Sequence, residues 1–169
     1  ALEDMARGQA VQIAKNMSDM VEVAIKEEMK LTTAISVQPY VSEAASKASR
    51  DGAEKASGEI ERAMGELAKI IKHTGNDYES IFVADSGGTI IADGSNGKTK
   101  GIAVGDRDYF KEAKAGKVFV GSAIKSRASG KPVSVVSAPV YGKGGEFAGI
   151  VGTILNIDFL STKIQSVKV

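Results

Sequence analysis

The chain has 169 residues, of which 43% are hydrophobic and 25% charged, and this composition suits one structural domain whose core needs no crosslinks. The lack of cysteine excludes disulfides, thiolate zinc sites and iron–sulfur clusters, and the single histidine, His73, excludes multi-histidine metal sites and most catalytic triads, so we expect no metal or cofactor. A net charge of +1 and an aromatic content of 5% argue against nucleic-acid binding, and no apolar run approaches the roughly 20 residues that cross a bilayer.

The N-terminal part of the chain has the apolar spacing of a long helix. Apolar residues recur three and four positions apart at Ala6, Ala10, Ile13, Met17, Met20, Ala24, Leu31 and Ala34. This pattern predicts a helix over residues 2–37 with a length of about 50 Å, which exceeds what a compact domain of this size needs. We interpret residues 31–37 as a core helix and residues 2–25 as a stalk that pairs with a second copy and leads to a membrane segment. A core helix throughout is the alternative.

A proline separates this helix from the next helical segments. Gln38-Pro39 ends the first helix, because proline lacks an amide donor and disfavours helical backbone at the residue before it. A weak helical pattern follows over residues 41–50, and a second helix is predicted over residues 53–72, with Gly75 as its stop. Residues 1–75 are therefore predicted to form an N-terminal helical region.

Beyond residue 75 the pattern changes from helices to short strands. Strands are predicted over residues 81–84, 89–92, 118–124, 132–141 and 147–157, a short helix over 107–115, and a final helix from Asp158. Because these strands mostly follow one another through hairpin turns, the sheet should be antiparallel. The sequence thus predicts an α+β fold in which the long N-terminal helix and the second helix pack with a five-stranded antiparallel sheet and a short C-terminal helix. Residues 76–169 would form the sheet-containing module, within one structural domain overall.

The sequence contains none of the common catalytic or nucleotide-binding motifs. It has no phosphate loop, no nucleophile elbow and no His-Glu-x-x-His zinc motif. No two residues can be recognised in the sequence as a catalytic nucleophile and its general base. We therefore expect a protein that is not an enzyme.

One short segment has the chemistry of an anion site, Asp106-Arg107-Asp108-Tyr109-Phe110. A guanidinium followed by two aromatic residues at a helix start can place a forked donor, ring walls and free backbone amides around one small space. Arginine pairs with a carboxylate through two parallel hydrogen bonds, most strongly where water is excluded. The alternative is a capped helix in which Arg107 pairs with Asp108 or Asp106 while Tyr109 and Phe110 enter the core.

This segment belongs to an ordered set that resembles a known family. The set consists of Ile81-Phe82-Val83-Ala84-Asp85 with Gly88-Thr89-Ile90-Ile91-Ala92, then Gly105-Asp106-Arg107-Asp108-Tyr109-Phe110, Gly121-Ser122, Ser129-Gly130-Lys131-Pro132-Val133, Ser137-Ala138-Pro139-Val140 and Gly149-Ile150-Val151-Gly152. With it, residues 79–157 resemble a Cache domain, the extracytoplasmic relative of the PAS fold in bacterial receptors. The preceding long helix is similar to the family's N-terminal helix. Because it contains one such module, the chain resembles the single-Cache class, whose members are most often attached to methyl-accepting chemotaxis receptors.

The resemblance implies a ligand pocket between the sheet and the arginine-aromatic segment. It implies that Arg107 binds a ligand carboxylate, while Tyr109 and Phe110 form the wall or donate a hydroxyl. The other candidate ligand-binding residues are Asp108 of the same motif and, across the pocket, Ser122, Lys125 and Ser137. Lys125 stands where many members have an aromatic residue, and it could pair with a second carboxylate.

The resemblance also bears on the class of ligand. Members that bind amino acids usually place an aspartate on the last strand, where it receives the ligand's ammonium group. Here that position is occupied by Ile154. The difference favours a carboxylate without an amine, such as a short-chain organic acid.

These observations together predict the periplasmic sensor domain of a transmembrane chemotaxis receptor. We expect it to bind a small organic acid, to signal by displacement of its helix ends, and to form a homodimer through the N-terminal helix. Membrane spans are expected outside this chain, just before Ala1 and just after Val169. Two alternatives remain, a Cache sensor of a histidine kinase or cyclase receptor and a module that binds no ligand and serves in dimerisation or docking.

Overall fold

One antiparallel sheet of six strands lies at the centre of the computed structural model, which describes residues 2–157. The strands are β1 (Tyr78–Asp85), β2 (Ile90–Asp93), β3 (Phe119–Val120), β4 (Ile124–Lys125), β5 (Pro132–Tyr141) and β6 (Phe147–Asn156). Their order in the sheet is β2-β1-β6-β5-β3, and β4 also pairs with β5. The long hairpin of β5 and β6 therefore lies beside β1 in the middle of the sheet.

Helices cover both faces of this sheet. They are α1 (Leu2–Ser36), α2 (Pro39–Asp51), α3 (Ser57–Thr74) and α4 (Asp108–Lys114), and a 3-10 turn, Gly75–Asp77, leads into β1. The end of α1 packs on β5 and β6, and α2 and α3 pack beside it on β1, β2 and β6. The short helix α4 packs on β5 and β6 from the opposite face. Among the described residues, the sheet thus has three helices on one face and the short helix α4 with its flanking loops on the other.

Alternate residues of the strands point to opposite faces of the sheet and enter different apolar clusters. Ile81 and Val83 join the core formed with α2 and α3, whereas Phe82 and Ile154 join the core formed with α4. A Cβ at Gly152 would overlap the ring of Phe82. Glycine at this position of β6 therefore lets the Phe82 ring lie against the neighbouring strand.

The predicted α+β fold class is confirmed, with differences in particular elements. The predicted strand over residues 118–124 is interrupted, so the sheet has six strands rather than five. Between β3 and β4 the chain turns toward the start of α4, where the hydroxyl of Ser122 donates to the carboxylate of Asp108. The helix predicted from residue 53 begins at Ser57, because residues 53–56 form a turn. The final helix predicted from Asp158 lies outside the described residues.

The two parts of α1 differ in their surroundings. Every side chain that the structure describes between Leu2 and Met20 is exposed, and Leu2 and Val11 are 86% and 65% exposed. Further along the helix, Glu28 and Thr32 are buried against the sheet. The first part of α1 therefore projects from the domain. Across residues 2–157, no helix has both the length and the apolar character required to span a bilayer.

Candidate functional site

A small, mostly apolar cavity lies between the sheet and the segment that contains α4. Its volume is about 30 Å³, enough for about two water molecules. The lining residues are Phe82, Ile90, Thr99, Ile102, Val104, Arg107, Tyr109, Ile124, Ser126, Arg127, Ala128, Val133, Val135 and Ile154. None of these described residues carries a carboxylate. The cavity wall therefore contributes only positive formal charge.

Arg107 is the predicted site residue with the clearest capacity for a ligand. It precedes α4 in extended conformation, and its Nη2 donates to the backbone carbonyl of Lys125 at 3.3 Å. Its Nε is buried and donates to no atom. Among residues 2–157, no carboxylate forms an ion pair with this guanidinium. The alternative in which Arg107 pairs with Asp106 or Asp108 is therefore not what the structure shows, although Tyr109 and Phe110 do enter the apolar core as that alternative expected.

Asp106, the acidic residue just before Arg107 in the sequence, pairs with a different arginine. Arg127 donates through both Nη atoms to the two carboxylate oxygens of Asp106, each at 2.8 Å, and also to the carbonyl of Ala103. This pairing lowers the pKa of Asp106 to about 2. Because Asp106 is satisfied by Arg127, Arg107 keeps its donors for another acceptor. Sequence reasoning missed this pair, because it joins residues 21 positions apart.

The two aromatic residues of the motif have different positions. Tyr109 is buried, lines the cavity and packs edge-to-face on Phe82, with 6.3 Å between ring centroids. Burial raises the pKa of Tyr109 to about 12. Phe110 does not line the cavity but packs edge-to-face on Phe147 at 6.1 Å. Of the two predicted wall residues, the structure thus brings only Tyr109 to Arg107.

Three other candidates hold α4 in place and do not line the cavity. The Asp108 carboxylate accepts the backbone N–H of Tyr109 at 2.6 Å and the Ser122 hydroxyl at 3.2 Å, so this amide is not free for an anion as the sequence suggested. The Ser137 hydroxyl donates to the carbonyl of Tyr109 at 2.7 Å. These contacts fix the ends of the arginine-aromatic segment against β5 and the β3–β4 connection.

Lys125 is near the cavity through its backbone rather than its side chain. Its carbonyl accepts from Arg107, while its side chain is exposed and absent from the lining. The structure therefore gives Lys125 the role of orienting the guanidinium. The pairing with a second carboxylate, expected from the resemblance, has no support in this geometry.

Two hydroxyl groups that the sequence did not single out line the cavity. Thr99 donates to the buried carboxylate of Asp93 at 2.6 Å, and Asp93 also accepts the backbone N–H groups of Ser95, Gly97 and Thr99. The Ser126 hydroxyl accepts two backbone N–H groups, and this arrangement leaves its own proton available. The Asp-Gly-Ser-Asn-Gly turn chemistry at residues 93–97 is a sequence signal that could have indicated the first of these loops.

Comparison with known proteins gives the family of this chain. A family model described as Cache domain, named dCache_1, matches residues 1–169. The chain belongs to the Cache domain family. No curated protein gives a significant match.

Several solved Cache sensor domains have the same fold at low sequence identity. The sensor domain of the histidine kinase DctB of V. cholerae is similar with a TM-score of 0.82 and 16% identity over 98% of this chain and 61% of that one. The ligand-binding domains of the chemoreceptors PctC of Pseudomonas aeruginosa, in complex with GABA, and CtaA of Pseudomonas fluorescens, in complex with L-serine, have TM-scores of 0.67 and 0.68 at 15% identity. They cover 92% and 96% of this chain, and this chain covers 66% and 64% of theirs. This Cache domain thus spans about three fifths of the DctB sensor domain.

Ile154 lies in the cavity wall of this Cache domain, on β6. The last-strand position that the resemblance assigns to an ammonium acceptor therefore borders the same space as Arg107, and it carries an apolar side chain.

Proposed function

We propose that this Cache domain is the sensor domain of a transmembrane chemotaxis receptor and that it binds a short-chain carboxylate at Arg107. The observation that carries the proposal is the Arg107 guanidinium, which lines an apolar cavity while its buried Nε has no partner. A buried donor without an acceptor is unfavourable, and a ligand carboxylate would satisfy it. Tyr109 and Ser126 add hydroxyl donors to the same wall.

The charge and size of the cavity define the class of ligand. No carboxylate from residues 2–157 lines it, so the ammonium group of an amino acid would lose its hydration without gaining a counter-charge. A volume of about 30 Å³ is smaller than an organic acid requires, and the cavity must therefore widen around a ligand. Acids of two to four carbons need the least widening, and this need for movement is consistent with a sensor.

Calorimetry of the wild-type chain with acetate, propionate, pyruvate, lactate and succinate tests the proposal. Lactate and alanine form the decisive pair, because they differ in a hydroxyl group and an ammonium group on the same carbon. We expect lactate to bind at least about tenfold more tightly than alanine, an advantage of about 1.4 kcal/mol. If none of the five acids binds, or if alanine equals lactate, the carboxylate proposal is wrong.

The Tyr109→Phe variant should reveal whether the hydroxyl of Tyr109 contacts the ligand. This hydroxyl has no hydrogen-bond partner among residues 2–157, so the substitution breaks no hydrogen bond within the protein. The packing of the ring on Phe82 is kept. We expect the affinity for propionate or lactate to fall about three- to tenfold, as for one neutral hydrogen bond, with little change in thermal stability. If calorimetry shows the same affinity for the variant and the wild type, the Tyr109 hydroxyl does not contact the ligand and Tyr109 only forms part of the cavity wall.

Signalling is proposed to pass from the cavity to α1 through β6. Ile154 faces the cavity, whereas the hydroxyl of the preceding residue, Thr153, is 2.9 Å from the hydroxyl of Thr32 on α1. The Tyr78 hydroxyl donates to the carboxylate of Glu28 on the same helix, and burial raises the pKa of Tyr78. Ligand binding would favour the widened state and thereby shift α1 relative to the sheet. In this proposal the domain is periplasmic and the spans lie outside the chain.

The projecting part of α1 is proposed to pair with a second copy. Met20 lies on the predicted apolar stripe and is 41% exposed, and Val37, beyond the end of α1, is 72% exposed. We expect Met20→Lys to weaken dimerisation at least about tenfold, since a charge would enter the helix–helix seam. Sedimentation equilibrium measures the dimer, and Val37→Lys, which lies outside the stripe, should leave it unchanged. A monomeric wild-type chain at millimolar concentration would contradict the pairing.

A histidine kinase receptor is the second candidate for the output. The similarity to the DctB sensor domain, with its TM-score of 0.82, favours this alternative. A docking module without a ligand is the third, and the small cavity volume favours it. Binding of an acid in the calorimetric test would exclude the docking module.

A further inference from the structure

Two arginines contribute to the wall of the cavity. Arg107 and Arg127 both line it, and no lysine or further arginine of residues 2–157 does so. Burial raises the pKa of Tyr109, and the positive charges of the two guanidinium groups act against that rise. Both charges are therefore near enough to the Tyr109 hydroxyl to influence it. A ligand in contact with Tyr109 would meet two cations, unless one of them is neutralised from elsewhere.

Arg127 is neutralised by a carboxylate outside the cavity. Its two Nη atoms donate to the two carboxylate oxygens of Asp106, each at 2.8 Å, and Nη1 also donates to the carbonyl of Ala103. Asp106 is absent from the lining residues. Two parallel hydrogen bonds make a strong pair of arginine and carboxylate. The hydrogen bonds from Arg127 lower the pKa of Asp106 to about 2, so Asp106 keeps its negative charge at neutral pH.

The backbone explains why Asp106 pairs with Arg127 and not with its neighbour in the sequence. Arg107 is in extended conformation, with φ −77° and ψ 149°, and consecutive side chains of an extended segment point in opposite directions. The Asp106 side chain is accordingly 68% exposed, whereas the Nε of Arg107 is buried. Among the carboxylates of residues 2–157, none forms an ion pair with Arg107.

The described wall therefore presents one net positive charge to a ligand, that of Arg107. An acid with a single carboxylate matches this charge. A second carboxylate would either be buried without a counter-charge or have to displace Asp106 from Arg127, and both are unfavourable. The side chain of Lys125 does not supply the missing cation, because it is exposed and absent from the lining.

We propose that Asp106 is a specificity-determining residue that restricts the Arg107 cavity to acids with a single carboxylate. Asp106 acts through Arg127, whose charge it cancels and whose Nη donors it occupies, and it does not contact the ligand. This role rests on the proposed binding of an acid at Arg107. It concerns selectivity, and it is independent of how tightly Arg107 holds the first carboxylate.

Two matched pairs of acids test the role of Asp106, propionate with malonate and butyrate with succinate. Within each pair the chain length is equal and a carboxylate replaces a methyl group. Isothermal titration calorimetry at pH 7 should show that the wild-type chain binds the monoacid at least about tenfold more tightly than the diacid. Asp106→Asn keeps an oxygen that can accept from Arg127 but removes the negative charge. This variant should bind malonate or succinate at least about tenfold more tightly than the wild type does.

Two further variants identify the cause of this gain. Asp106→Asn combined with Arg127→Met lacks the released cation, so the gained affinity for the diacid should be lost. Asp51→Asn is the matched control, because Asp51 is an exposed aspartate that pairs with Arg50 outside the cavity. Its affinities for both acids of a pair should equal those of the wild type. Since a damaged fold does not produce a gain of affinity, Asp106→Asn is informative even if its melting temperature falls.

Three results would overturn the role of Asp106. One is a wild-type chain that binds the diacid as tightly as the monoacid in both pairs. Another is an Asp106→Asn variant that binds neither diacid more tightly than the wild type does. The third is a gain that persists after Arg127→Met is added. Each of these results, obtained with a wild type that binds a monoacid, leaves the carboxylate site at Arg107 in place. If the wild type and all variants bind none of the four acids, the carboxylate site itself is wrong, and the role of Asp106 with it.

Discussion

Replacing Arg107 with alanine should weaken binding of propionate or lactate at least about 100-fold, which corresponds to about 2.7 kcal/mol. The buried Nε and the Nη2 bonded to the Lys125 carbonyl place the guanidinium at the wall of an apolar cavity, where a bidentate pair with a carboxylate is strong. Without it, the cation left in the described cavity wall would be Arg127, whose Nη atoms already donate to Asp106 and to the carbonyl of Ala103. Isothermal titration calorimetry at pH 7 measures the loss.

Two further variants control this result. Arg107→Lys keeps the charge but not the forked geometry, so its affinity should lie between those of the wild type and the alanine variant. Lys125→Ala removes an exposed side chain that does not line the cavity and keeps the carbonyl that orients Arg107. Its affinity should remain within twofold of wild type. If the wild type and Arg107→Ala bind propionate or lactate equally well, the proposed carboxylate site at Arg107 is wrong.

The largest effect on stability is expected at Asp93. This fully buried carboxylate accepts three backbone N–H groups and the hydroxyl of Thr99, and these bonds shape the loop that follows β2. Asp93→Ala would leave these donors buried and unpaired. We expect a loss of roughly 3–4 kcal/mol in the free energy of unfolding at pH 7. Urea denaturation followed by circular dichroism measures it, and Asp19→Asn on the exposed part of α1 is the control.

The same carboxylate should make stability depend on acid pH. Burial acts to raise the pKa of Asp93, but the hydrogen bonds from Thr99, Gly97 and Ser95 outweigh it and hold the pKa below its ordinary value. The charged form is thus favoured in the folded state. Its contribution is complete above the unfolded pKa of about 4 and is lost as the pH falls through the lower folded pKa. Asp93→Asn should lack this part of the pH dependence, and an identical acid transition in wild type and variant would contradict it.

The fold was predictable because its signals are local. The apolar spacing of α1, the break at Pro39 and the hairpins around β1, β5 and β6 depend on neighbouring residues, and each is found close to its predicted position. The error at residues 118–124 has a long-range cause. This segment has the apolar content of a strand, but the Ser122 hydroxyl donates to the carboxylate of Asp108, which lies 14 positions earlier, and the strand is interrupted there.

The site was predictable only in its central residue. Arg107 and Tyr109 follow from a contiguous motif, and both line the cavity. The pairing of Asp106 with Arg127 could not be predicted from the motif, although it leaves Arg107 without a carboxylate partner among residues 2–157. The orientation of the Lys125 side chain could not be predicted either, because a strand of two residues gives no alternation from which the inward face can be inferred.

The contact between Thr32 and Thr153 lies near one end of a long lever. About 30 residues of α1 separate Thr32 from Leu2, a distance of about 45 Å along the helix axis. A tilt of only about 2° at Thr32 would therefore carry the far end through roughly 1.5 Å. Ile154 and Thr153 are adjacent on β6, so in the proposed mechanism a small displacement of the cavity wall that tilts α1 would be amplified into a larger sideways movement at the far end of the helix.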